Sequence, residues 1–289
     1  METLYGSFQK RKGTILMSGF EHKTEIAEAE RSIQKSEAFR EIKPEKEISF
    51  EEVQAFWDNF FDGDIEEGEE LRDDNGKIYS IDGKLQPDTT YELNGNIYTT
   101  DENGRIINCE AKPIRSPENP RDSEAQRRAG GEDRRPDDQG GHIVGRDLNG
   151  DGGIGNLVPM DSKINQSDYK RMENEIKTAL DEEKDVTTKT EITYSGDCER
   201  PDIITVTITA DGKDTVFRFD NNLDGSLRDE VPESGKEIVQ DRLKETGGEI
   251  SSVKKEYEED GTLAETTVYI TYKGKDGVNY RTSVIIENQ

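Results

Sequence analysis

Between residues 75 and 110 the chain repeats one short phrase, NGKIYSIDGKL and then NGNIYTTDENGRI. Each copy is a brief β-branched and aromatic run bounded by Asn-Gly, Asp-Gly or Glu-Asn-Gly. Such dipeptides accept the positive φ of a two-residue hairpin turn, so the pattern forces antiparallel pairing over a short span. Two copies are too few to stack as a solenoid, and a small antiparallel meander is expected. Similar punctuation returns near the end. A short helix from Ser234 to Thr246 stops at Gly247-Gly248, and strand candidates follow at 249–258, 264–273 and 277–287.

Composition limits what these elements can build. Apolar residues are 29% of the 289, with one Trp, nine Phe and ten Tyr. That supply does not fill one large core; two or three small cores joined by solvated segments are expected. No apolar run approaches the ~18–20 residues that span a bilayer, which excludes membrane insertion by a helix. The first twenty residues are basic without an apolar stretch, so no Sec signal peptide is expected. Cys109 and Cys198 offer at most one bridge and no disulfide framework. The formal charge of −26 opposes the basic footprint usual for a nucleic-acid binder.

Four regions follow from these shifts: a helical N-terminal region (1–62), an acidic linker with the hairpin meander (63–118), a core (119–222) and an αβββ appendix (223–289). Helical character is expected from about Glu21 to Phe61. There a Ser49-x-x-Glu52 capping box precedes Val53, Phe56, Trp57, Phe60 and Phe61 on one face. From Asp62 to Asp74 eight carboxylates face Arg72 alone, which reads as solvated linker. Residues 113–140 are rich in Pro, Gly, Arg and Asp without periodicity, a length that is either disordered or functional.

The chemistry concentrates in residues 137–180. His142 is one of two histidines and sits in Gly-Gly-His-Ile-Val, a glycine-flanked strand. Asn165 opens a helical segment whose apolar face is Met172, Ile176, Ala179 and Leu180. Seven residues before Met172, it falls within about 20° of that inward face, with Glu173 about 80° round from it. An imidazole, an amide oxygen and a carboxylate suit phosphodiester hydrolysis with one divalent metal. The imidazole takes a proton from water, the metal stabilises charge at the phosphate, and an arginine can grip the phosphate bidentately. The alternative reading of Asp147, Asn149, Asp151 and Gly152 as an EF-hand loop fails, because position 12 falls on Val158 rather than a bidentate Glu.

A wider set of residues points to a family. Asp138-Gln139-Gly140-Gly141-His142-Ile143-Val144, then Asn156-Leu157-Val158-Pro159-Met160-Asp161-Ser162-Lys163, then Ile164-Asn165-Gln166 and Tyr169 to Glu173 together resemble the DNA/RNA non-specific endonucleases, a His-Me finger (ββα-metal) family. The likeness is to its branch of C-terminal toxin domains in bacterial polymorphic and type VII-secreted toxins. It covers roughly residues 90–222. Ser195-Gly196-Asp197, Arg200-Pro201-Asp202 and the strand 203–208 also resemble the closing sheet of that branch.

The resemblance implies an α+β fold: a small antiparallel sheet crossed by a ββα-metal finger. It implies His142 as general base and Asn165 as the ligand of one Mg2+, with Mn2+ as the substitute ion. Glu173 would hold metal-bound water or the helix, and Asn156, with Gly141, would shape the strand and loop around His142. The family often carries Asp-Arg-Gly-His, whereas Gly140 and Gly141 precede His142 here. The phosphate-binding arginine must then come from elsewhere, with Arg134 favoured and Arg135, Arg128 and Arg146 as further candidates. Within 121–180 ten basic residues face twelve acidic ones, so the core is nearly neutral while the rest of the chain carries the acidity. The expected partners are DNA or RNA as substrate and an immunity protein protecting the producing cell. The expected route is specialised secretion, or otherwise cytoplasmic residence. The competing reading is an inactive acidic interaction protein on the same fold, binding an immunity partner or mimicking nucleic acid.

Overall fold

The computed structural model describes residues 68–287, together with the strands β1 (Ser7–Arg11) and β2 (Thr14–Ser18), which pair as an antiparallel hairpin. The expected helical span 21–61 and its capping box lie outside the described residues. Residues 1–65 and 66–289 form two separate compact units.

In the larger unit the X-Gly turns act as expected. The small sheet β3 (Glu70–Arg72), β4 (Ile78–Ile81) and β5 (Lys84–Leu85) turns at Asp82-Gly83, both residues at positive φ. The hairpin of β6 (Thr90–Leu93) and β7 (Asn96–Thr100) turns the same way at Asn94-Gly95, then pairs with β8 (Ile106–Ala111). Tyr79, Tyr91 and Tyr98 alternate inward from these strands and stack, with centroids 4.8 and 5.3 Å apart.

The chain then leaves the sheet. Helix α1 (Ser123–Arg128) is capped by the Asp122 carboxylate, which accepts from Glu124 N and Ala125 N. Strands β9 (Asp138–His142) and β10 (Leu157–Asp161) form a two-stranded ribbon with His142 opposite Leu157. A π-helical turn over Ile164–Tyr169 runs into helix α2 (Lys170–Asp181).

Afterwards β11 (Val186–Thr193), β12 (Ile203–Ala210) and β13 (Lys213–Asp220) return to the main sheet. Helix α3 (Lys236–Thr246) ends at Gly247, whose φ of 65° forms the left-handed C-cap. Strands β14 (Glu249–Tyr257), β15 (Leu263–Lys273) and β16 (Asn279–Glu287) complete the unit. The fold is α+β. Its nine-stranded antiparallel sheet has the order β16-β15-β14-β13-β12-β11-β8-β7-β6. The three C-terminal strands extend this sheet, because β14 pairs with β13 directly.

Burial follows the scarcity of apolar residues. One core joins the sheet to α2 through Tyr98, Tyr169, Met172, Ile176, Phe217 and Phe219; a second lies under α3 around Val239, Ile250, Val268 and Val284. Val268 and Ile270 face that second core, so Tyr269 and Thr271 face the opposite side of the sheet. Among the described residues no helix is long and apolar enough to cross a membrane.

Candidate active site

His142 ends β9 and lines a cleft of about 880 Å³ together with Asn165 and Glu173. The strand holding it is narrow for a reason. A Cβ at Gly140 would lie 2.7 Å from the Gln126 backbone, and one at Gly141 would lie 2.8 Å from Met160. Helix α1 therefore sits directly on β9, and the two glycines before His142 are where that helix and Met160 press in. A bulkier residue at Gly140 would displace α1.

Asn156 anchors the other side of the ribbon. It is fully buried, and its Oδ1 accepts from Tyr98 OH and Val144 N, each at 2.9 Å. Its Nδ2 donates to Val144 O at 2.8 Å and Asp151 O at 2.7 Å. Tyr169 OH donates to Ile143 O, the residue after His142. The histidine strand is thus tied to the tyrosine stack and to the helix. Asn156→Ala removes four hydrogen bonds and strands buried partners, an expected loss of roughly 3 kcal/mol in urea melts.

The helix differs from the expectation at one point. Ile164, fully buried, occupies the inward position given above to Asn165, followed by Tyr169, Met172 and Ile176. The π turn is the cause: it inserts about one residue into the helical repeat. Eight residues then count as seven, and Asn165 comes within about 20° of Glu173 instead of 80°. The insertion turns Asn165 off the core and aligns the amide with the carboxylate at the cleft. There Asn165 Nδ2 donates to Gln139 Oε1 at 2.8 Å, while no described residue donates to its Oδ1.

The electrostatics are uneven. Burial, then Arg146 and Arg121, depress the His142 imidazole to about 4, although the Gly152 backbone opposes them. Its Nε2 is buried and has no hydrogen-bond partner among the described residues. Burial and the nearby Asp147 raise the Glu173 carboxyl to about 7, against the pull of Lys177, Lys170 and Arg146. Asp147 is itself paired with Lys177 at 2.6 Å.

The two shifts act on stability in opposite directions. The unfolded chain takes up the His142 proton near 6.5 but the folded chain only near 4, so stability is lost as pH falls through that window. Glu173 loses its proton near 4.5 when unfolded and near 7 when folded, so stability is lost as pH rises through that interval. In EDTA, Glu173→Gln is therefore expected to gain about 2 kcal/mol at pH 8 and little at pH 4.5, read as a rise in Tm only at the higher pH.

The arginines separate clearly. Arg134 lines the cleft, but its guanidinium donates to the carbonyls of Gln126, Ala129 and Asp138, tying α1 to β9. Arg135 donates to Asn222 Oδ1, Arg128 pairs with Glu124, and neither lines the cleft. Arg146 lines it while held by Asn119 O and Glu118. Arg121 and Arg127, flanking and within α1, line the cleft and make no ion pair among the described residues. They and Lys170 were not singled out from the sequence. The available signal was their place around a short capped helix just ahead of the histidine strand.

Hard oxygen donors are present for a divalent cation: the Asn165 amide oxygen and the Glu173 carboxylate. Among the described residues no cluster of three or more His, Cys, Asp or Glu could hold an ion by itself. A cation there would also relieve the cost of ionising Glu173.

The chain is also similar in sequence to known proteins. Residues 87–212 match the DNA/RNA non-specific endonuclease family. The type VII secretion system protein EssD of Staphylococcus aureus, in strains USA300 and NCTC 8325 / PS 47, is 36% identical over 145 residues. The match spans 48% of this chain and 24% of those relatives, so only about a quarter of their length is represented.

Proposed function

From the match of residues 87–212 to the DNA/RNA non-specific endonuclease family we propose that the chain hydrolyses internal phosphodiester bonds with Mg2+ bound at Asn165. The observation that carries the reading is the buried, unpartnered Nε2 of His142 in a cleft shared with Asn165 and Glu173. A polar atom without a partner is costly inside a protein unless a reactant supplies one.

In this reading His142 Nε2 accepts a proton from water as the water oxygen bonds to phosphorus, and the opposite P–O bond breaks. A divalent metal is what the family generally uses; when bound, it stabilises negative charge on the phosphate and leaving oxygen. Asn165 supplies its amide oxygen to the ion, oriented by Gln139. Glu173 supplies a carboxylate or holds bound water. Arg121 and Arg127 grip the phosphodiester in place of the arginine that Gly140 excludes. Because Arg121 and Arg146 depress the imidazole, a bound phosphate also returns His142 toward its ordinary basicity.

The likeness to a type VII secretion system protein supports a link of this chain to such a system; export by it and action as a toxin in target cells are part of the proposal. A producing cell would then need an immunity protein covering the cleft. Digestion of plasmid DNA and total RNA tests the enzyme, with cleavage expected in Mg2+ and absent in EDTA. Asn165→Ala is expected to raise the half-saturating Mg2+ at least about tenfold, the scale of losing one ligand. Equal activity in EDTA, or an unchanged Mg2+ requirement in the variant, refutes the assignment.

A further inference from the structure

A second groove, of about 710 Å³, lies where the start of α2 meets β15 and β16. Its charged lining residues are Lys163, Lys170, Arg171 and Arg281, and no carboxylate joins them. In a chain with 65 acidic and 39 basic residues, that one-sign lining is against the average. Lys163, Lys170 and Arg171 make no ion pair among the described residues, whereas Lys112, Lys184 and Lys189 are each paired. Arg171 lies over the Tyr269 ring, 4.5 Å from its centroid, which holds the guanidinium at the groove. Arg281 pairs with the buried Asp168 through Nη1, while its own Nη2 is buried without a partner.

The groove is continuous with the catalytic cleft, since Gln166 and Lys170 line both. Tyr269 and Arg281 come from β15 and β16, beyond the family match at 87–212. Cations without ion pairs in a groove that shares lining residues with the proposed phosphodiester site complement a polyanion whose charges recur along its length.

We propose that this groove binds the polynucleotide backbone beyond the cleaved phosphate, so that the C-terminal strands extend the substrate track. The assignment rests on the nuclease reading for its substrate class. Lys163 and Arg171 anchor flanking phosphates, and Arg281 holds the sheet side of the groove.

The test uses the full chain with Lys163→Glu and Arg171→Gln combined. Binding of a fluorescent 30-nucleotide single strand is measured in EDTA by anisotropy across salt concentrations. The dissociation constant is expected to rise at least tenfold, and the log–log salt slope to flatten by about 1.4, two contacts at ~0.7 each. Hydrolysis of bis(p-nitrophenyl) phosphate, too small to reach the groove, should keep its kcat/KM within about twofold while KM for long RNA or DNA rises. Arg171→Lys, which keeps the charge, should restore most of the binding, and an unchanged Tm excludes misfolding. Unaltered affinity and salt slope for the 30-mer overturn the proposal even if the enzyme cleaves. Equal, equally variant-sensitive binding of poly-glutamate also overturns it, pointing to an acidic polypeptide partner. If the wild type hydrolyses neither substrate the nuclease reading falls, while the anisotropy result still decides the groove.

Discussion

His142→Ala is expected to lower phosphodiester hydrolysis by at least about 10²–10⁴-fold, the contribution of a positioned general base. The effect should appear in kcat, because the role proposed for the imidazole is on the water's proton rather than in substrate affinity. The fold should survive. His142 sits at the cleft with an unsatisfied Nε2, so truncation removes a buried polar atom that no described residue satisfies and breaks only the contact with the Gly152 backbone. Thermal melts at pH 8 should stay within a few degrees of wild type, and below about pH 6 the variant should lose less stability, since the imidazole that must stay neutral is gone. The acid limb of the wild-type rate profile should fall between about 4 and 6.5, moving upward as bound phosphate neutralises Arg121 and Arg146. Residual cleavage within tenfold of wild type by folded His142→Ala would remove the histidine from the chemistry.

Arg200→Ala should give the largest loss of stability. Arg200 is 3% exposed, and its Nε and Nη2 donate to the two Asp138 carboxylate oxygens at 2.7 and 2.9 Å. The same guanidinium donates to Asn221 O and Asn222 Oδ1, while Asn221 Nδ2 donates to the carbonyls of Pro159 and Pro201. This network fastens β9 and β10 to the end of the main sheet. Removing the arginine leaves a buried carboxylate unpaired, at a cost of roughly 3–5 kcal/mol. For a unit of this size that corresponds to a fall in Tm of roughly 10 °C. Replacing both partners, as Arg200→Met with Asp138→Leu, should be less destabilising than Arg200→Ala alone, because no isolated charge remains buried. A single variant that melts with the wild type would show that the ion pair is not what holds the ribbon.

Much of the local structure was legible. The three C-terminal strands and the helix before them lie within two residues of their expected bounds, because alternation and X-Gly turns act over a few residues. His142 and Asn156 were legible as members of one pattern, and the structure brings His142, Asn165 and Glu173 to one cleft. Asn165 lies off the core where 100° per residue places it inward, because that count holds only for an uninterrupted α-helix and the π turn over Ile164–Tyr169 breaks it. Arg134 lines the cleft, but its Nη1 and Nη2 donate to backbone carbonyls that only folding of α1 onto β9 brings close, which proximity in the chain does not reveal. Arg200 could be quoted as part of a motif, but its partner is 62 residues away.

The sequence by itself determined the antiparallel hairpins, the small cores, the histidine strand and the family likeness, since each follows from contacts or steric preferences local to the chain. Tertiary structure alone decided which arginines stay free to meet a phosphate, which side of a helix Asn165 presents, and that the C-terminal strands continue the main sheet. Those outcomes depend on long-range burial: a guanidinium or an amide goes to whichever buried partner folding places beside it, and a strand edge goes to the neighbour that satisfies its backbone groups.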